Sequence, residues 1–197
     1  EQLQIKGKVS GDFNLYLPLN NSPSNTNEQA IASGTINFKN NQAALQTPQM
    51  DFSNVEGQLT FSNDKITTKD LRLYWQGLPI SLDISGMNKA DYYNTEIQLT
   101  SLWQESAWLA HVPTKLQQYT KGALSWQGNL SLHQHHQGGF SYKANFNSDL
   151  ANTELLLPAP YNKGVKQKTA LSVDIDGGEK QSTVVLNYGD NLHFSGV

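Results

Sequence analysis

The stretch VEGQLTFSNDKITTKDLRLYWQGLPISLDISG, residues 55–86, alternates apolar and polar side chains through three consecutive segments. Val55, Leu59 and Phe61 share one side of the first segment, and Leu71, Leu73 and Trp75 one side of the second. Ile80, Leu82 and Ile84 share one side of the third. The opposite positions carry Glu56, Gln58, Thr60, Arg72, Ser81, Asp83 and Ser85. A period of two is the signature of a strand with one wet and one dry face. Asn63-Asp64 and Gln76-Gly77 separate the segments with turn-forming residues, which predicts antiparallel hairpins.

The same alternation continues on both sides. Val9, Phe13, Leu15 and Leu17 share a face, as do Ile36 and Phe38, then Ile97 and Leu99. Leu124, Trp126, Leu130 and Leu132 form a long stripe, followed by Phe140, Tyr142, Ala144 and Phe146. Leu171, Val173 and Ile175 come next, then Val184, Leu186 and Tyr188, and lastly Leu192 and Phe194. Further turns are expected at Asn40-Asn41, Gly138-Gly139, Asp176-Gly177-Gly178 and Gly189-Asp190. A loose repeat, Gly-x-aliphatic-x-aromatic, appears at 34–38, 57–61 and 122–126. It predicts strands laid down as similar units, hence an elongated array.

One segment departs from the pattern. Residues 101–122, SLWQESAWLAHVPTKLQQYTKG, read as helical, with a Ser101/Gln104 capping box and Gly122 as the stop. Leu102, Leu109, Val112, Leu116 and Tyr119 fall near one stripe, and Pro113 should break the segment into two short helices. This helical piece is expected to plug a small core, with Trp103 and Trp108 pinning it to the sheet. The polar run 20–29, NNSPSNTNEQ, reads as a loop.

Composition narrows the functional classes. The net charge of −3 gives nucleic acid or an anionic surface no electrostatic footing. Without cysteine there is no disulfide framework and no thiolate chemistry. No nucleophile elbow, phosphate-cradling loop or zinc-protease motif is present, so no cofactor and no catalysis are expected. His133 and His135 share one face of a strand and could grip a metal ion. They run into Gly138-Gly139 at a hairpin tip, where solvated histidines are ordinary, and no metal site is expected. Asp174 and Asp176 abut a predicted turn, and Asp83 and Asp149 show no partner in the sequence. Of the four tryptophans, Trp75 and Trp126 fall on apolar faces, which favours packing over sugar stacking.

The stripes contain no Asp, Glu, Lys or Arg. Each buried Leu or Phe is worth roughly 1.5–3 kcal/mol, so these faces must be covered. A two-sheet sandwich covers itself. A single curved sheet would need its dry face covered by something other than protein. Periodicity does not choose between them.

Residues 145–178, NFNSDLANTELLLPAPYNKGVKQKTALSVDIDGG, resemble a signature of the YhdP branch of the AsmA-like bacterial envelope proteins, relatives of TamB. The matching residues are Ser148-Asp149-Leu150, then Leu157, Pro158, Pro160 and Lys163. Ala151-Asn152 and Glu154-Leu155-Leu156 depart from the family pattern, which has Gly-Leu and then smaller residues. Residues 55–86 resemble the family's recurring unit, and KGALSWQGNLSL (121–132) after the helical piece fits it too. The resemblance implies a mostly β chain of repeated antiparallel hairpins forming a half-open groove. Residues 1–197 would be one interior section of a longer periplasmic protein anchored in the inner membrane, with 1–100 and 101–197 as an alternative division into sub-units. It further implies that phospholipid acyl chains occupy the groove. Expected lining residues are Phe38, Leu59, Phe61, Leu73, Trp75, Leu82, Leu124, Trp126, Leu130, Phe140, Tyr142 and Leu171. The alternatives are an envelope scaffold that binds protein partners by strand edges and a carbohydrate-binding β domain.

Overall fold

A computed structural model describes residues 3–18, 30–46 and 49–197. Residues 20–29, expected as a loop, lie outside the described residues. The alternating segments all form strands: β1 (Leu3–Lys6), β2 (Val9–Tyr16), β3 (Ile31–Gln46), β4 (Gln49–Ser62), β5 (Lys65–Trp75), β6 (Leu78–Asn88) and β7 (Tyr92–Trp103). After two short helices, α1 (Glu105–Leu109) and α2 (Thr114–Gln117), come β8 (Thr120–Gly122), β9 (Leu124–His135), β10 (Phe140–Ser148) and β11 (Thr153–Leu155). β12 (Leu171–Gly178), β13 (Ser182–Tyr188) and β14 (Leu192–Gly196) complete the chain.

Twelve strands make one antiparallel sheet, in the order β1-β3-β4-β5-β6-β7-β9-β10-β12-β13-β14, with β2 also on β3. It is not closed into a barrel. β8 and β11 form a separate two-stranded piece. Two-residue connections at 63–64 and 76–77, and three- or four-residue ones further on, enforce the hairpins. At the β5–β6 turn both Gln76 (φ 52°) and Gly77 (φ 81°) are left-handed, which matches the right-handed twist of the flanking strands.

Register explains the loose repeat. In the β3–β4 pair Gly34 faces Phe61, Ile36 faces Leu59 and Phe38 faces Gly57. Two copies of Gly-x-aliphatic-x-aromatic, run antiparallel, therefore seat an aromatic opposite each glycine. A Cβ on Gly34 would stand 2.8 Å from the Phe61 ring, so the ring lies over bare backbone.

Asn40-Asn41 is a bulge, not a turn: β3 runs unbroken through it, with Asn40 left-handed at φ 56°. Asn tolerates that conformation, so the strand bends instead of ending. The neighbouring strands carry register shifts near Asn54 (φ 49°) and Asp70 (φ 53°). Asn41 is wholly buried and fully used. Its Oδ1 accepts from Lys39 N (2.8 Å), and its Nδ2 donates to the carbonyls of Lys8 (3.1 Å) and Lys6 (3.4 Å). It thus holds the corner where β1 gives way to β2 along the same edge.

Asp176-Gly177-Gly178 also differs from expectation, since β12 extends through Gly178 before the chain turns. The helical reading of 101–122 was too long. Residues 101–103 belong to β7, where Ser101 donates to the Pro79 carbonyl and cannot cap a helix. Gln104 takes the N-cap position without a side-chain bond, and Pro113 stands just before α2. Gly122 lies in β8, not at a helix end, and Leu102 is exposed on the polar side of β7. Twelve consecutive ladder pairs with β9 outweigh weak local helix signals.

Candidate apolar binding face

Ladder partners point to the same side, so the register fixes the composition of each face. One row across the sheet reads Gly11, Ile36 and Leu59, and further on Ile84, Ile97, Leu130, Ala144, Ile175, Val184 and Gly196. The next includes Leu71, Leu82, Leu99, Gly128, Phe146, Val173, Leu186 and Phe194. Among the described residues no Asp, Glu, Lys or Arg occupies a paired position on this side. On the other side Thr35, Thr60, Thr67, Ser85, Glu96, Ser131, Lys143, Asp176 and Thr183 form a polar row.

All twelve residues expected to line a groove fall on the apolar side. Leu73 and Leu82 are buried, and the other ten are half-buried. With Val55, Leu71 and Ile80 the two buried leucines form the core cluster, each at 9% exposure or less. Among the described residues no second sheet lies over this cluster. Its cover comes from the same face, Phe38 on β3 and Trp126 on β9 among others. A flat single layer cannot bury its own side chains so well, so the face curves in on itself. The chain exposes 13,493 Å², against about 9,300 Å² for a compact monomer of its mass.

Over one end of this face lies a small roof, built from α1, α2 and β8 (104–122) together with residues 150–170. The signature residues build it. Ser148 Oγ donates to the Ser125 carbonyl (2.6 Å) and accepts from Leu150 N (3.0 Å), while Leu150 is left-handed and buried. Asp149, which showed no partner in the sequence, accepts from Ala151 N (3.0 Å) and pairs with Lys168 (3.0 Å). Those contacts, the backbone N–H first, hold its carboxyl below the ordinary range. These bonds lift the chain off β10.

Lys163 is 2% exposed. Its Nζ donates to the carbonyls of Thr153 (2.6 Å) and Gly164 (3.1 Å), and its backbone exchanges both bonds with Leu155 (2.9 Å each). Burial pushes its pKa down, opposed by Asp149 and Glu154. Trp108 Nε1 donates to the Gly122 carbonyl (3.0 Å), Tyr188 Oη to the Tyr161 carbonyl (3.0 Å) and Leu156 N to Tyr119 (2.8 Å). Trp108 therefore ties α1 to β8 inside the roof and not, as expected, to the main sheet. Trp103 instead sits in the sheet, with Nε1 on the Pro79 carbonyl (3.0 Å). Sequence reasoning missed the burial of Lys163 and Asn41, because a charge or amide gives no periodic signal.

Other chemistry is sparse. No group of three potential ligands converges among the described residues. His133 packs against Tyr92, ring centroids 4.4 Å apart and planes tilted by 38°. Asp174 accepts from Asn145, and Asp176 pairs with Lys143 (3.2 Å) on the exposed side. Trp103 and Trp126 meet at 73°, not as a coplanar sugar platform. No helix among the described residues is long and apolar enough to cross a membrane.

These features define an open antiparallel sheet protein with one continuous uncharged apolar face, partly roofed. The chain belongs to the YhdP family, whose model ("YhdP protein") matches residues 1–197. It is 25% identical, over 195 residues, to the "Intermembrane phospholipid transporter YhdP" of Escherichia coli (strain K12). That alignment covers 99% of this chain and 15% of the relative, so the chain spans about one seventh of the relative's length. No solved structure matches.

Proposed function

We propose that this chain is a periplasmic section of a hydrophobic groove along which a longer, inner-membrane-anchored envelope protein moves phospholipid between the two membranes. The observation that carries the reading is the run of uncharged apolar rows across the sheet, roofed at one end and left open over the rest. Acyl chains are held there by non-directional burial, worth about 0.8 kcal/mol per methylene. An uncharged wall offers no ionic contact to trap a head group, so chains can slide. Nothing in the face is arranged for catalysis, and the chain acts as a passive wall.

The reading is tested by placing a photo-crosslinking amino acid at Phe61, on the apolar side, and separately at Thr60, on the polar side, in the full-length protein in cells. Covalent phospholipid at position 61 and none at 60 is the expected result. Lipid at neither position, with position 61 crosslinked only to its own chain, would overturn it and leave an ordinary packed core.

A further inference from the structure

Between the roof and the sheet lies a cavity of about 500 Å³, open on one side. Its floor includes Leu171, Leu186 and Leu192, which belong to the apolar rows, so it continues the apolar face without a step. Trp108, Leu116 and Leu155 close it from the roof. Among the described residues no Asp, Glu, Lys, Arg or His lines it. Its polar side chains include several already engaged: Thr153 Oγ1 donates to the Ala123 carbonyl (2.9 Å), while the Trp108 indole and the Tyr188 hydroxyl serve Gly122 and Tyr161. A polar ligand would find those partners taken, and a hydrocarbon loses nothing by entering.

Resting on the groove reading above, we propose that this chamber takes one acyl chain of a phospholipid while the second chain stays on the open face. At roughly 30 Å³ per water-sized group, a volume of this order is on the scale of one long chain. The roof would therefore split the two chains of each lipid as it passes.

The test uses the intact 197-residue chain and vesicles of phosphatidylcholine brominated in mid-chain, because bromine quenches tryptophan only at near contact. Trp108 reports the chamber, and Trp75 the open face. We expect quenching in the unmodified chain, a loss of about one third or more of it in Trp108→Phe, and a further loss in Trp75→Phe. Thr120→Phe, which fills the chamber and keeps every tryptophan, should cut quenching of Trp108 about fivefold while sparing Trp75. Quenching lost in Trp75→Phe but unchanged in Trp108→Phe and Thr120→Phe would overturn the chamber and leave the groove standing. Quenching of no tryptophan would overturn both. Brominated stearate quenching Trp108 where the phospholipid does not would make the chamber a free fatty acid site and overturn the proposal.

Discussion

Gly128→Ala tests whether aromatic rings seated over glycines shape the sheet. A Cβ at this position would stand 2.6 Å from Cδ1 and 2.9 Å from Cε1 of Phe146, and 3.2 Å from the Asn145 carbonyl oxygen. Unstrained carbon contacts sit near 3.5–4.0 Å. The ring therefore has to yield by about an ångström, yet it meets Trp126 edge-on at 5.8 Å between centroids. Overpacking of this kind costs about 1–3 kcal/mol. The lower chain entropy of alanine returns roughly 0.5–1 kcal/mol. The net is a destabilisation of about 1–2 kcal/mol. With a urea slope of about 2–3 kcal/mol/M the unfolding midpoint, followed by far-UV circular dichroism, falls by roughly 0.5 M. A Phe146→Ala background separates this cause from any other, because without the ring only the 3.2 Å approach to the Asn145 carbonyl oxygen remains. Gly128→Ala should then become neutral, a coupling of about 1–2 kcal/mol. Equal destabilisation in both backgrounds would refute the reasoning. Gly164→Ala, where a Cβ meets nothing within 4 Å and φ is not positive, serves as the control and should be neutral or stabilising by up to about 1 kcal/mol.

Lys163→Met removes both bonds from Nζ to buried carbonyls, and limited proteolysis should then cut within 156–166 at least several-fold faster, with the main sheet intact. Asp149 is held below the ordinary 3.8, so its contribution is complete above that value and lost as pH falls through its lower folded pKa. Asp149→Asn should flatten the acid limb of an unfolding curve below pH 4, and an unchanged limb would remove Asp149 as its source. Ile97→Lys puts a charge on an apolar row and should abolish lipid crosslinking at Phe61 in the full-length protein, whereas Gln98→Lys, on the opposite side, should leave it unchanged. Lys143→Ala breaks an exposed pair with Asp176 and should shift stability by less than about 0.5 kcal/mol.

Much of the architecture was legible along the chain. Leu71-x-Leu73-x-Trp75 and Leu130-x-Leu132 read as one-sided strands, and the Asn63-Asp64 and Gln76-Gly77 turns placed β5 between β4 and β6. The twelve expected lining residues reached one face because strand period and face are the same fact. Boundaries were less legible. Asn40-Asn41 looks like a turn because Asn supports both turns and bulges, and only the unbroken ladder on either side decides for the bulge. Ser101 and Gln104 match a helix start locally, while Trp103 and Leu124 pairing across β7 and β9 is non-local and stronger. The roof was hardest to foresee, since Lys163 becomes informative only when Thr153 and Gly164 close around it.

Sequence alone thus determined the strands, their dry and wet sides, the absence of charge on the dry side and the family signature at 148–163. All of these depend on side-chain chemistry and a two-residue period, both local properties. Tertiary structure decided that the dry sides form a single open layer, that the layer curves until Leu73 and Leu82 are buried, and that a roof overhangs an open-sided chamber at one end. Alternating apolar residues serve a sandwich and an open sheet equally well. The choice between them lies in the pairing of strands distant along the chain and in what, if anything, comes to lie over them.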